Sequence, residues 1–378
     1  VAGLATAQGF VKVNGILPPE AISIAQFGII MSGLVSVAAG VLVRFAGRGV
    51  VEKILPASVT GPVAMVIGLT LAGGAVADAA PAMGQSQIVW IVSLSTLFST
   101  VIFSRYLKGF LGQLPLLLGA AVGCLVALAF RVIGGPEFNL FRALPPEVLA
   151  ASSWKLGSGS IFALPAFTLP KVFWPAVWAI APIAIATIPE STAHVYQLDI
   201  YVNDVAREKG AKKKYDMAGL LDRNLIGDGL CDMIAGAVGG PAGTNYGENI
   251  STMAITRVFS VPVVMVAAIM AMIMSCFTPL IQVIYGLPLA VIGGLEIYLF
   301  GAIAAQGIAI LIDKKCDMFS SKNTAVIASI MVLGLGIHYG FGGTLNFFGL
   351  GIPAVAGAAI FGILLNLLLS IGEKKKAN

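Results

Sequence analysis

Stretches of about 20 consecutive apolar residues, each long enough to cross ~30 Å of hydrocarbon as a helix, recur from one end of this chain to the other. They fall at 20–43, 52–76, 86–104, 110–133, 172–202, 218–239, 258–280, 287–311, 324–338 and 351–372, with a shorter, interrupted segment at 250–257. A bilayer core offers no water to backbone N–H and C=O groups, so such runs must close their hydrogen bonds internally as helices. Only 11% of the 378 residues are charged, 58% are hydrophobic and mean hydropathy is +0.94. A soluble globule carries about 25% charged residues. The fold class is therefore an all-α polytopic membrane protein, and a large soluble enzyme is excluded. Residues 1–12 are apolar but too short to span, and Pro18-Pro19 close them off. They read as the tail of a span whose start is missing.

Charge placement gives the spans a direction. Arg44, Arg48 and Lys53 share one loop, Arg105 and Lys108 another, and Arg207, Lys209, Lys212, Lys213, Lys214 and Arg223 a third. Arg257, then Lys314, Lys315 and Lys322, then Lys374, Lys375 and Lys376 follow. Threading the spans in order puts all of these on one side and only Lys12, Arg131, Arg142, Lys155 and Lys171 on the other. Cytoplasmic loops carry the excess of Lys and Arg, so the C-terminus and the 204–217 loop are expected in the cytoplasm. The alternation works only if 240–257 crosses once. Trp90, Trp154, Trp174 and Trp178 fall at or beyond outer span ends, as interfacial tryptophans do. The net charge of +5 belongs to this topology rather than to a nucleic-acid face. Cys124, Cys231, Cys276 and Cys316 lack paired spacing and the histidines number two, so no metal site, cofactor or disulfide framework is expected.

Two heptapeptides match. Leu55-Pro56-Ala57-Ser58-Val59-Thr60-Gly61 and Leu287-Pro288-Leu289-Ala290-Val291-Ile292-Gly293 share an L-P-x-x-V-x-G pattern, and each opens a long apolar run. The first follows a basic loop and the second a loop without Lys or Arg, so the two helices are expected to start on opposite faces. One motif heading helices of opposite direction suggests an inverted repeat, as in many secondary transporters.

Ionisable residues inside a membrane are costly and point to function. Glu190, His194, Asp228, Asp232, Glu248 and Glu296 are the candidates. Glu190 and His194 lie four apart, on one helix face, and Pro189 removes a backbone donor beside them. Asp228 and Asp232, near Arg223, are expected to be structural. The segment Gly239-Gly240-Pro241-Ala242-Gly243-Thr244-Asn245-Tyr246-Gly247-Glu248-Asn249 will not hold a regular helix. A helix resuming near Asn249 would aim free N–H groups and the positive end of its dipole into a cavity. Glu248 would accept an N–H there, while the amides near Gly247 and Glu248 would donate to a C=O. A nucleobase edge fits this chemistry, whereas two carboxylates would repel an inorganic anion.

Glu248-Asn249-Ile250-Ser251-Thr252-Met253-Ala254-Ile255-Thr256-Arg257 resembles the signature of the nucleobase–ascorbate transporter family, departing from it at Ser251, where the family has Gly. Glu190 and His194 resemble the Glu-x-x-x-His of its uracil-transporting branch, and the Glu heading the signature points the same way. The resemblance covers the whole chain. It implies fourteen helices in two inverted repeats of seven, with a short strand at the broken helix 10. The chain would then begin inside helix 3. Core parts would be 1–47 and 172–283, gate parts 48–135 and 284–373, and 136–171 an external loop. It further implies a non-enzymatic, proton-coupled uracil importer of the bacterial plasma membrane, working by rocking of core against gate.

Glu190, His194, Tyr246, Gly247 and Glu248 would bind the base. Asn249, Ser251, Thr256 and Arg257 would support the motif, and His194 and Glu296 would handle the proton. Uracil permeases of the family have a small polar residue and a Tyr where this chain has Glu296 and Phe300. Implied partners are the nucleobase, the proton and the lipid bilayer, with a homodimer as an assembly option and no nucleic acid. The alternatives are a xanthine or other purine permease of the same family and, from another class, an anion exchanger of similar fold.

Overall fold

Proline marks where most of the apolar runs turn into helix. The structure, a computed structural model, describes residues 10, 18–47, 53–142, 161–162, 167–181, 183–347 and 350–371. A proline occupies the first turn of α1 (Pro19–Ala46), while α2 (Ala57–Ala79) follows Pro56. Next come α3 (Ile88–Tyr106) and α4 (Pro115–Gly134), the latter again opened by proline. Two helices stand in place of the run at 172–202: α5 (Trp174–Ile180) and α6 (Ile183–Glu208). Beyond them lie α7 (Leu221–Val238), α8 (Gly247–Thr256), α9 (Val261–Ser275) and α10 (Thr278–Gly286). The last part comprises α11 (Leu289–Asp313), α12 (Ser321–Gly340), a hairpin of β1 (Thr344–Phe347) and β2 (Leu350–Pro353), and α13 (Ala354–Leu369). Proline fixes φ near the helical value and lacks an N–H that the first turn leaves unpaired anyway, so it starts helices at little cost.

Among the described residues, six helices are long and apolar enough to cross a membrane. The chain is a multi-pass membrane protein, as its composition requires.

Packing sorts the helices into two sets. In one, α1 packs along α7 and also against α5 and α6. In the other, α2 packs along α11 and against α12 and α13, while α3 and α4 pack on each other and on α11. The sets meet chiefly through α6, which touches α2 and α13. Each set has its own apolar centre. Val43, Ile188, Val195, Leu221 and Leu225 form one, and Val59, Val63, Val66, Val326, Ile330, Ala358 and Ala359 the other.

Glycine decides how close the paired helices come. A Cβ on Gly33 would lie 2.5 Å from the Gly229 carbonyl oxygen, and one on Gly307 would lie 2.5 Å from the Gly61 carbonyl oxygen. Both pairs are antiparallel: Gly61 faces Gly307, whereas Gly293 faces Asp78 and Ala79 at the other end of α2. The L-P-x-x-V-x-G copies head α2 and α11 at the same motif position, each helix starting one residue after the proline. They therefore start at opposite ends of one packed pair.

Several expectations change. The short strand expected at the broken segment is not formed, because 240–246 is irregular and pairs with no strand among the described residues. The described sheet is the β1–β2 hairpin instead, antiparallel with Thr344 opposite Pro353. The expected span at 258–280 divides at Cys276-Phe277, leaving α9 with 15 residues, roughly 22 Å long. Helix α6 runs to Glu208, six residues beyond its expected end, where its polar residues between 199 and 208 are held by side-chain bonds. The run at 1–12 lies outside the described residues, apart from Phe10.

Candidate functional site

Helix α7 ends at Val238, and Gly239 takes up the left-handed conformation (φ +102°) that a side chain would strain. The chain then runs without regular structure to Tyr246, and α8 begins at Gly247. Glycine and proline break the helix where the composition indicates, and the helix resumes two residues earlier than expected. Its first backbone donors, on Gly247, Glu248 and Asn249, have no partner within the helix. Tyr246 precedes them in an extended conformation and supplies no side-chain cap. Helix α8 packs against α6, the helix that carries Glu190 and His194. Backbone donors and the helix of the first carboxylate are thus neighbours.

His194 is buried, whereas Tyr246, Asn249, Thr256 and Arg257 are exposed. Glu190, Gly247, Glu248 and Ser251 have defined places on α6 and α8, but their side chains lie outside the described residues.

Polar side chains hold the broken segment. Asp232, buried in α7, accepts the N–H of Gly243 through Oδ1 at 2.6 Å. Gln26, fully buried in α1, donates from Nε2 to the carbonyls of Gly236 (2.7 Å) and Thr168 (2.8 Å). The end of α7 and the entry to the break are pinned from both sides, as buried unpaired backbone groups would otherwise cost free energy. This agrees with the structural role expected for Asp232.

The other end of α8 is tied to α6. Arg257 stands in the left-handed region (φ 58°), where its backbone N–H closes α8 onto the Met253 carbonyl. Its Nη1 lies 3.0 Å from Asp204 and its Nη2 3.1 Å from Glu208. On another face of α6, Asp199 Oδ1 accepts the N–H groups of Met217 (2.7 Å) and Ala218 (3.1 Å). Asn203 exchanges two hydrogen bonds with the backbone of Tyr215. Asp199, Asn203, Asp204 and Glu208 were not singled out from the sequence. Their signal was two polar pairs at i, i+4 spacing, partly hidden by an expected span end at 202.

Glu296 lies on α11, half-buried, and the charge that bears on it is Asp78 of α2. A cavity of about 420 Å³ opens where α6 meets the second helix set, lined among others by Thr192, Tyr196, Ser58, Thr60, Lys314 and Lys315. Thr192 and Tyr196 sit about 200° around α6 from Glu190 and His194. This cavity therefore meets the opposite face of the helix.

A family model described as a permease family matches residues 2–343. The chain belongs to this family. It is 35% identical over 355 residues to the uracil permease of Bacillus caldolyticus, covering 91% of this chain and 74% of that one. With the uracil permease of Escherichia coli K12 it shares 32% identity over 376 residues, 98% of this chain and 80% of the relative. The uracil permease of Bacillus subtilis is 34% identical over 370 residues, with 94% and 77% covered. The chain is accordingly a transporter and not an enzyme.

Proposed function

We propose that the chain imports uracil across the bacterial plasma membrane in symport with protons, by alternating access. The observation that carries this reading is the start of α8 at Gly247, whose first amide donors have no partner within the helix, packed on the helix of Glu190 and His194. A uracil edge has two N–H donors and two C=O acceptors. Carboxylates at Glu190 and Glu248 accept the former and the α8 amides donate to the latter. The uracil permeases among its relatives support the same substrate.

Residues 1–47 and 172–283 form the core in this reading, and 48–135 and 284–373 the gate, with the C-terminus in the cytoplasm. The two packing sets and the motif-headed antiparallel pair α2 and α11 support an inverted repeat. Uptake of labelled uracil by cells expressing the protein tests the substrate. Unlabelled uracil should compete and xanthine should not, while competition by xanthine alone would make it a purine permease.

His194 and Glu296 are the residues we assign to proton handling, Glu296 beside Asp78 at the α2–α11 contact. Glu296→Gln should leave uracil binding nearly intact and flatten the pH profile of uptake. Full uptake with an unchanged profile would return Glu296 to a structural role.

A further inference from the structure

Each copy of the L-P-x-x-V-x-G motif is tied, at or just before its first residue, to a distant part of the second helix set. Before the first copy, the Lys53 carbonyl accepts the Nδ2–H of Asn366 at 3.1 Å. Asn366 is 1% exposed and is the one polar side chain of α13, a helix otherwise built of apolar residues and glycine. At the second copy, Arg142 donates its backbone N–H to the Gly286 carbonyl (3.0 Å) and its Nε–H to the Leu287 carbonyl (2.8 Å). These carbonyls lie at the C-terminal end of α10, where the helix dipole favours a cation.

The two ties occupy matching places in the second set. Helices α3 and α4 pack on each other and on α11, and α12 and α13 pack in the same way on each other and on α2. Arg142 follows α4, and its neighbours Leu140 and Phe141 pack against the cluster of Val89, Val92, Ala290 and Val291. Asn366 lies in α13, whose Ile363 and Leu365 pack against the cluster of Val59, Val63 and Val326. Both donors are thus fixed in the second set, one at each end of the antiparallel α2–α11 pair. The acceptors lie where the chain enters that set, from α1 in one case and from α10 in the other. Leu55, at the first entry, packs against both apolar centres.

Resting on the alternating-access reading, we infer that Asn366 and Arg142 are positioning residues that clamp the two hinges between core and gate. Hinges are a few residues that absorb backbone rotation. A carbonyl tied to the gate does not swing with the core, so bending is confined to the chain before Lys53 and before Gly286. Helices α2 and α11 then keep their starting points through the cycle, one clamp at each face of the membrane. Loss of a clamp lets the bend spread into the motif, which slows the exchange of the two end states and leaves the uracil site intact.

Uracil uptake into proteoliposomes, expressed as turnover per uracil-binding site, tests the clamps. Asn366→Leu and Arg142→Ala should each lower turnover roughly fivefold, the factor that one hydrogen bond of ordinary strength is worth. The dissociation constant for uracil should stay within about twofold of that of the unaltered protein. A merely structural role would reduce the number of binding sites and leave turnover per site unchanged. Should the Asn366 variants fail to fold, Arg142→Ala decides, since Arg142 is exposed.

Covalent bridging supplies a second arm, in protein with Cys124, Cys231, Cys276 and Cys316 replaced by Ser. Lys53→Cys/Asn366→Cys lacks the amide donor and should turn over slowly. A short bifunctional thiosulfonate joining the two positions should restore turnover, and reductant should remove the gain. Tyr196 on α6 and Lys314 at the end of α11 face each other across the two helix sets, the ammonium 4.6 Å from the ring centre. The same bridge in Tyr196→Cys/Lys314→Cys should stop uptake. Unchanged turnover per site in the folded variants, or a bridge between 53 and 366 that stops uptake, overturns the clamps. Uptake that survives the bridge between 196 and 314, or no uptake by the unaltered protein, overturns the alternating-access reading and the clamps with it.

Discussion

Helices α1 and α7 cross at Gly33 and Gly229, and α2 and α11 cross at Gly61 and Gly307, each time with backbone against backbone. The pairs differ in what their polar side chains do. In the α1–α7 pair, Gln26 and Asp232 bond to the backbone of other segments, 142, 210 and 11 residues away in sequence. Around the α2–α11 pair, hydroxyls mostly turn back on their own helices. Thr96 donates to Val92, Thr100 to Thr96 and Thr70 to Ile67. Continuous helices satisfy their own backbone, so the second set relies mainly on close packing, with a few long-range bonds such as Tyr339 Oη to the Leu69 carbonyl. The first contains a broken helix, and long-range polar bonds stand in for the missing ladder.

Substitution at the crossings should produce the largest effects. Gly229→Val and Gly307→Val each force a side chain against a carbonyl and should destabilise the protein by roughly 1–3 kcal/mol or more. Uracil binding should be lost in the Gly229 variant and retained in the Gly307 variant at temperatures where both are folded. Equal loss in both would erase the functional contrast between the pairs.

Asp232 sharpens it next. Asp232→Ala leaves the Gly243 N–H without its acceptor, a cost of about 1–3 kcal/mol, and should weaken uracil binding, whereas Asp232→Asn keeps an acceptor oxygen and should bind nearly normally. An Asn variant as defective as the Ala variant would mean that the charge itself is used. Smallest is the tie at the far end of α8. Arg257 and Asp204 are partly exposed, so a double-mutant cycle with Arg257→Ala and Asp204→Ala should give a coupling of only about 0.2–1 kcal/mol. A coupling above about 2 kcal/mol would place this pair among the main supports of the site.

Much of the arrangement was legible in the residues themselves. The Gly-Gly-Pro-Ala-Gly run at 239–243 announced the break, and the L-P-x-x-V-x-G copies announced two equivalent helix starts. The tie from Arg257 to Asp204 and Glu208 was hidden because sequence spacing within one helix cannot show which distant helix end faces it. Gln26 was hidden for a related reason: a lone amide in an apolar run is significant only when the carbonyls of Thr168 and Gly236 are known to face it. The strand expected at the break failed because a strand needs a partner, and residues 240–246 instead meet the carboxylate of Asp232.

Glu248 carries the central claim. Its exchange for Gln keeps the shape and places an amide donor against a ring N–H, a mispairing that costs about 1–3 kcal/mol in a buried site. Uracil binding to purified Glu248→Gln should therefore weaken by roughly 5- to 150-fold, with the thermal midpoint of the ligand-free protein little changed. An affinity within about twofold of the unaltered protein would contradict the account and put the substrate elsewhere.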